Sequence, residues 1–200
     1  MIRRRAPRPS TGTDSDPTTR LRLDDPGRQG WTLAEGRAHY RELVASDLPR
    51  NPYLPWRTTI RVLRAGQVLY RCKGPVAFVL RRIVSVADSV WTRGLMGSEI
   101  PTMVWFGPAL RLPHAGRGLM IHSTCRIGDG VTIYHHVSLG VRDGRPGPTI
   151  GDDVEIGAGA AVLGPIRVGD GGKVGANAVV TKDTEPGRTY VGIPARPLGS

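Results

Sequence analysis

Large apolar residues recur along the second half of the chain at a fixed step of six. The series opens with Ile100, Phe106 and Leu112, takes a step of nine to Ile121, and resumes through Ile127, Ile133 and Leu139. A step of eleven leads to Ile150, and six-residue steps then run through Ile156, Val162, Val168, Val174 and Val180. Short apolar residues stand two positions ahead of many of these, at Val131, Val137, Val154, Ala160 and Ala178, and a glycine often follows. Six is the period of neither a helix, about 3.6, nor a single strand, about 2. It fits short strands joined by turns, three to a coil of ~18 residues, stacked as a parallel solenoid with the repeated aliphatic inside. The two longer steps read as loops extruded from the coil, the larger spanning 140–149. Loops that interrupt a rigid scaffold are where function concentrates.

A different pattern precedes the repeats. Thr32-Leu-Ala-Glu35 is a capping box, so a helix is predicted from near Thr32 to near Asp47, ahead of the stretch Pro49 to Pro55. Two further helices are predicted over about 56–72 and 75–94, divided by Gly74-Pro75. The second carries Val76, Phe78, Val79, Ile83, Val86, Val90 and Trp91, a broad apolar face. These helices are expected to pack on one another and cap the first coil. Residues 1–30 hold almost no large apolar residues among many Arg, Pro, Ser, Thr and Asp, and are expected to be a disordered basic tail. The expected organisation is that tail, an α-helical region over 31–96, and the β-solenoid domain with a C-terminal extension over 97–200.

Composition changes this picture little. Twenty-seven glycines and 6% aromatics suit a fold of tight turns and small inward side chains. Cys72 and Cys125 stand far apart without metal-ligand spacing and read as reduced, unpaired thiols, which points to the cytoplasm. No apolar run reaches membrane-spanning length, and Arg3, Arg4 and Arg5 are not followed by the apolar stretch of a secretory signal. Charge is more informative. Residues 31–96 hold eleven Lys/Arg against four Asp/Glu, whereas 97–200 hold ten against nine. The excess lies on the helices, where it is a solvated face or meets an anionic membrane, nucleic acid or an acidic partner.

Three stretches carry a resemblance. They are Glu99-Ile-Pro through Phe106-Gly to Leu112-Pro-His114; Ile133-Tyr-His-His-Val-Ser-Leu-Gly140; and Ile156-Gly-Ala-Gly-Ala-Ala-Val-Leu-Gly-Pro-Ile166, continuing to Val191-Gly-Ile-Pro-Ala-Arg196. The chain resembles, from about Leu63 to Leu198, the hexapeptide-repeat acyltransferases, and most closely the serine O-acetyltransferase family. The resemblance implies a left-handed parallel β-helix over about 100–182, acetyl-CoA as co-substrate with no tightly bound cofactor, and a place in cysteine biosynthesis. It also implies a homotrimer, since donors bind in the groove between subunits.

In that family a histidine just before the first extruded loop is the base, oriented by an acidic residue fifteen positions earlier. Those positions hold His114 and Glu99. The chemistry agrees: an alcohol attacking a thioester needs a base that titrates near neutrality, and a carboxylate on the far ring nitrogen fixes the tautomer. By resemblance, backbone near Gly140, Ala158 and Ala176 would touch the pantetheine arm. Their spacing of eighteen predicts one column of small residues along an edge. Lys182 and Arg196 would meet the CoA phosphates, and His135 or His136 would line the acceptor cleft. His122, after an inward Ile, reads as structural, and no metal site is expected.

The family pattern is broken in three places. His114-Ala-Gly-Arg-Gly118 is one residue longer than the family's His-x-x-Gly. Pro113 replaces the aspartate ahead of the base, and Arg145-Pro-Gly-Pro-Thr149 lacks the family's second histidine. These departures keep open an O-acetyltransferase acting on a sugar or polysaccharide precursor. A zinc hydratase on the same fold and an inactive trimeric scaffold complete the alternatives. No cysteine synthase complex is expected, since Pro197-Leu-Gly-Ser200 lacks a long tail ending in isoleucine, and no nucleic-acid partner is expected. The basic helices leave a peripheral membrane contact open.

Overall fold

The computed structural model describes residues 30–199. The basic tail read in the first thirty residues therefore lies almost wholly outside the described residues. Helix α1 spans Leu33–Asp47, α2 Leu54–Arg71 and α3 Pro75–Asp88, the last continuing as a π-helical turn over Ser89–Leu95. The Thr32 hydroxyl accepts from the Glu35 amide, and the Glu35 carboxylate accepts from the Thr32 amide at 2.8 Å. The capping box read from the sequence is therefore formed. Pro55 and Pro75 sit in the first turns of α2 and α3, where a missing N–H costs nothing.

Beyond Ser98 the chain winds as a left-handed parallel β-helix of three sheets, built from strands two or three residues long. The first sheet stacks β1 (Met120–Ile121), β4 (Ser138–Gly140), β7 (Ala161–Leu163) and β10 (Val179–Val180). The second stacks β2 (Arg126–Ile127), β5 (Thr149–Ile150) and β8 (Arg167–Val168). The third runs through β3 (Thr132–Ile133), β6 (Glu155–Ile156) and β9 (Lys173–Val174). It ends on β11 (Thr189–Val191), which pairs antiparallel with β12 (Arg196–Pro197). Isolated bridges from Glu99, Phe106 and Arg111 add an earlier coil.

Every aliphatic or aromatic of the six-residue series is buried, none more than 3% exposed. They stack in register: Ile121 on Leu139, Leu139 on Val162, Val162 on Val180. Successive coils are offset by eighteen where no loop intervenes, as Ile156 on Val174 shows. The offset grows to twenty-one across the first loop, Phe106 on Ile127, and to twenty-three across the second, Ile133 on Ile156. One more partial coil follows the aliphatic series, with Thr184 bridging Val168 and Tyr190 on Val174.

Helix α2 caps the open end of this core with Ile60 and Leu63. Its polar residues do more. Arg64 and Asp47 are fully buried, joined Nε to Oδ2 at 2.6 Å and Nη2 to Oδ1 at 3.1 Å. Arg64 also donates to the carbonyls of Phe106 and Gly107, while the Leu110 amide donates to Asp47. Asn51 spans the Leu110 carbonyl and the Leu112 amide, both at 2.8–2.9 Å. The first coil has no coil before it to satisfy these backbone groups, so the helices supply their partners. Cys72 and Cys125 are both buried and unpaired; burial pushes the Cys125 thiol up to about 12.

Helix α3 departs from its sequence reading. Val76, Phe78, Val79, Ile83, Val86 and Val90 are all more than half exposed, and the helix instead buries Ala77 and Asp88. Periodicity shows that a helix has an apolar face; what covers that face is decided by its neighbours, and α3 sits with its small-residue side against α2.

Candidate active site

His114 lies on the loop extruded where the third sheet turns back toward the first. The loop is a short left-handed turn. His114 and Ala115 have φ of 57° and 60°, and Gly116 and Gly118 follow with 66° and 68°. Two successive non-glycine residues in this region cost on the order of 1 kcal/mol each or more. The surroundings hold them there. The Thr59 hydroxyl of α2 donates to the Ala115 carbonyl at 2.9 Å, and Trp91 Nε1 donates to Thr59 at 3.0 Å. The Ser98 hydroxyl donates to the Gly116 carbonyl at 2.7 Å, and the Gly118 amide donates to the Met96 carbonyl at 2.9 Å.

The His114 ring, exposed to solvent, sits in a cluster of rings. Its centroid is 5.9 Å from Trp56 and 4.8 Å from His135, and His135 is 5.4 Å from His136. His135 is the coil-to-coil neighbour of His114, since the offset of twenty-one that pairs Arg111 with Thr132 also relates these two. Its Nδ1 is buried and has no hydrogen-bond partner among the described residues. Burial, and then the neighbouring His114 and His136, hold its pKa below the ordinary imidazole value. Tyr53 extends the aromatic wall, 4.9 Å from Trp56.

The expected Glu99–His114 hydrogen bond is not among those made by the described residues. Glu99 is on the same corner, its amide donating to Leu119 at 2.7 Å and its carbonyl accepting from Ile121. Its side chain is exposed, and the left-handed turn lays the imidazole against Trp56 and His135 instead.

The expected column of small residues is also redrawn. Ala158 and Ala176 are neighbours on successive coils, with the Asn177 amide donating to the Ala158 carbonyl at 2.9 Å. Gly140 belongs elsewhere: it pairs with Leu163 at the end of β4, where the first sheet turns toward the second. The 140–149 loop lengthens that coil by five residues, so a spacing of eighteen from Gly140 does not reach its neighbour. The coil below Ala158 contributes His135, whose carbonyl accepts from the Gly159 amide at 3.0 Å. One edge therefore carries His114, His135, Ala158 and Ala176 in order.

Lys182 and Arg196, both exposed, come together in a cavity of about 300 Å³ that Asp183, Tyr190 and Ala195 also line. His122 stands apart from the ring cluster, its Nδ1 2.9 Å from the Thr124 hydroxyl, as a turn residue would be. Trp56, Thr59 and Ser98 went unread in the sequence. The signal for Thr59 was present: it falls in helical register with Ile60, Leu63, Arg64 and Gln67 on the face that α2 buries.

Coils of three short strands, stacked eighteen residues apart and interrupted by a histidine-bearing corner loop, define a hexapeptide-repeat transferase. A family model for bacterial transferase hexapeptide (six repeats) matches residues 147–182. Serine acetyltransferase of Mycobacterium tuberculosis is 43% identical over 121 residues, 59% of this chain and 52% of that protein. The Helicobacter pylori serine acetyltransferase is 45% identical over 118 residues, 58% of this chain and 68% of that one. Among solved structures, soybean serine acetyltransferase superposes with a TM-score of 0.65 at 30% identity, covering 82% of this chain and 69% of the other. That of Brucella abortus gives 0.67 at 28% identity, covering 84% and 70%. The chain belongs to the serine acetyltransferase family. It spans about half the length of the mycobacterial relative.

Proposed function

We propose that this chain transfers the acetyl group of acetyl-CoA to the hydroxyl of L-serine or a serine-like amino acid. The observation that carries the reading is His114: an exposed imidazole, held on a braced corner loop, in a chain that is 43% to 45% identical to serine acetyltransferases over 118 to 121 residues. A soybean serine acetyltransferase of the same fold has been solved complexed with serine.

His114 takes the hydroxyl proton as the serine oxygen attacks the thioester carbonyl carbon. The tetrahedral intermediate collapses with cleavage of the C–S bond, and the imidazolium returns the proton to the departing CoA thiolate. Backbone amides of the corner loop would stabilise the oxyanion. Neutral His135 beside His114 avoids a second positive charge next to the imidazolium, a role its buried Nδ1 supports. Glu99, on the same corner, would orient His114. Ala158 and Ala176 leave room for an extended pantetheine arm, and Lys182 with Arg196 would take the phosphates of CoA. The groove that holds the donor needs a neighbouring subunit, so the active form is read as a homotrimer.

A second reading, O-acetylation of a sugar, is favoured by two observations. Pro113 stands where an aspartate would meet an amino acid and the 145–149 loop holds no histidine, and Tyr53 and Trp56 place aromatic faces near His114. Thiol release from acetyl-CoA across L-serine, homoserine and a panel of sugars separates the two. Turnover above background with L-serine supports the first; turnover with sugars alone replaces it with the second.

A further inference from the structure

The side of α3 that faces α2 opens into a cavity of about 500 Å³, bounded across from the helix by Gly66 of α2 and by residues 101–103. Phe78, Arg81, Arg82, Ser85 and Asp88 line it, and their spacings of three and four put them on one face of the helix. Arg93, carried by the π-helical turn, completes that wall. Gly66 lets the facing wall stand close, since a Cβ there would lie 2.6 Å from Thr102 Cγ2. The cavity shares no residue with the ring cluster at His114 or with the cavity of Lys182 and Arg196.

Its charge is unbalanced. Arg81, Arg82 and Arg93 line it, and Asp88 is the one carboxylate, 3.4 Å from Arg93. Arg81 and Arg82 have no carboxylate partner among the described residues, and the Arg82 guanidinium rests 5.3 Å over the Phe78 ring. Three guanidiniums against one carboxylate leave two positive charges on the same cavity. Concave walls lined by one sign of charge focus the field and concentrate counter-ions. The volume falls in the range of small-molecule sites, about 300–1,000 Å³. A phosphate monoester carries a charge of about −1.5 to −2 near neutral pH and offers three acceptor oxygens to guanidinium forks.

We propose that this cavity binds a phosphorylated small molecule through its phosphate monoester. Arg81 and Arg82 supply the forks, and Arg93 adds a third guanidinium held by Asp88. The dianion meets the two uncompensated charges, and the remaining volume takes the rest of the molecule. A phosphodiester, with a single charge, balances only one of them, so a lipid headgroup or a nucleic-acid backbone suits the cavity less well.

The test is calorimetric titration of the full chain with glycerol phosphate, a monoester, and with dimethyl phosphate, a diester. The wild-type chain should bind the monoester at least ~10-fold more tightly, and added salt should weaken the binding. Arg81→Gln with Arg82→Gln should lose at least ~10-fold in monoester affinity. Ser85→Phe fills the cavity mouth without changing charge and should lose as much. Lys182→Gln with Arg196→Gln removes the same charge from the other cavity and should leave monoester binding as it was. Circular dichroism checks that all variants keep the wild-type fold content. Three results overturn the proposal: no saturable monoester binding, equal affinity for the diester, or monoester binding that survives Ser85→Phe, since diffuse attraction to a basic helix needs no cavity. A loss confined to Lys182→Gln/Arg196→Gln also overturns it, because the phosphate then sits in the other cavity. Acetyl transfer is a separate readout, so this proposal and the catalytic reading fail independently.

Discussion

At the scale of single residues, the corner loop shows how position and chemistry were read differently well. The placement of His114 on a loop was legible because the six-residue period ends at Leu112 and resumes only at Ile121; its proposed role rests on the resemblance. What holds it was not legible. Thr59 and Trp91 sit some fifty and twenty residues upstream and reach the loop through α2 and the π-turn, contacts that no local pattern encodes. Thr59→Val removes the hydroxyl that the Ala115 carbonyl accepts from while keeping the volume. It should lower kcat by about 10-fold with a smaller change in KM, as expected for a positioning residue. Steady-state kinetics at matched fold content checks this. His135 makes a second prediction. Its folded-state pKa lies below the unfolded value of 6.5, so the unfolded chain binds more protons as pH falls through 6.5. Its contribution to stability is therefore complete above that pH and is lost progressively below it. Thermal melts at pH 5.5 and 7.5 should show a smaller acid-induced fall in Tm for His135→Gln than for wild type.

At the scale of elements, the strands were the easiest part and the helices the hardest. Thirteen aliphatic or aromatic positions were named from spacing, and the structure buries every one. The eighteen-residue rule failed at Gly140 because an extruded loop lengthens its own coil. Helix α1 was marked by its capping box, a local interaction. The orientation of α3 depends on α2 and could not be read from its own sequence. Nor could the Asp47–Arg64 pair, whose partners are the backbone of the first coil. That pair ties α1, α2 and the β-helix together with both charges out of water. Asp47→Ala leaves the Arg64 guanidinium buried and unpaired and should cost about 3–5 kcal/mol. Denaturant unfolding measures it, and a loss under 1 kcal/mol would show that the pair is not the link.

At the scale of the whole molecule, the chain divides its tasks. The coils are nearly neutral and carry the edge with His135, Ala158 and Ala176, while the helices carry the positive charge, brace the corner loop and present an apolar stripe to the outside. The central proposal is that His114, on the edge that runs through His135 to Ala176, is the base for acetyl transfer from acetyl-CoA to a hydroxyl. The most direct measurement is the rate of CoA thiol release with saturating acetyl-CoA and L-serine, for wild type and His114→Ala at equal fold content. The account predicts turnover by the wild-type chain and a loss of about 10²–10⁴-fold in kcat for the variant. Serine-dependent turnover that survives in His114→Ala would contradict it.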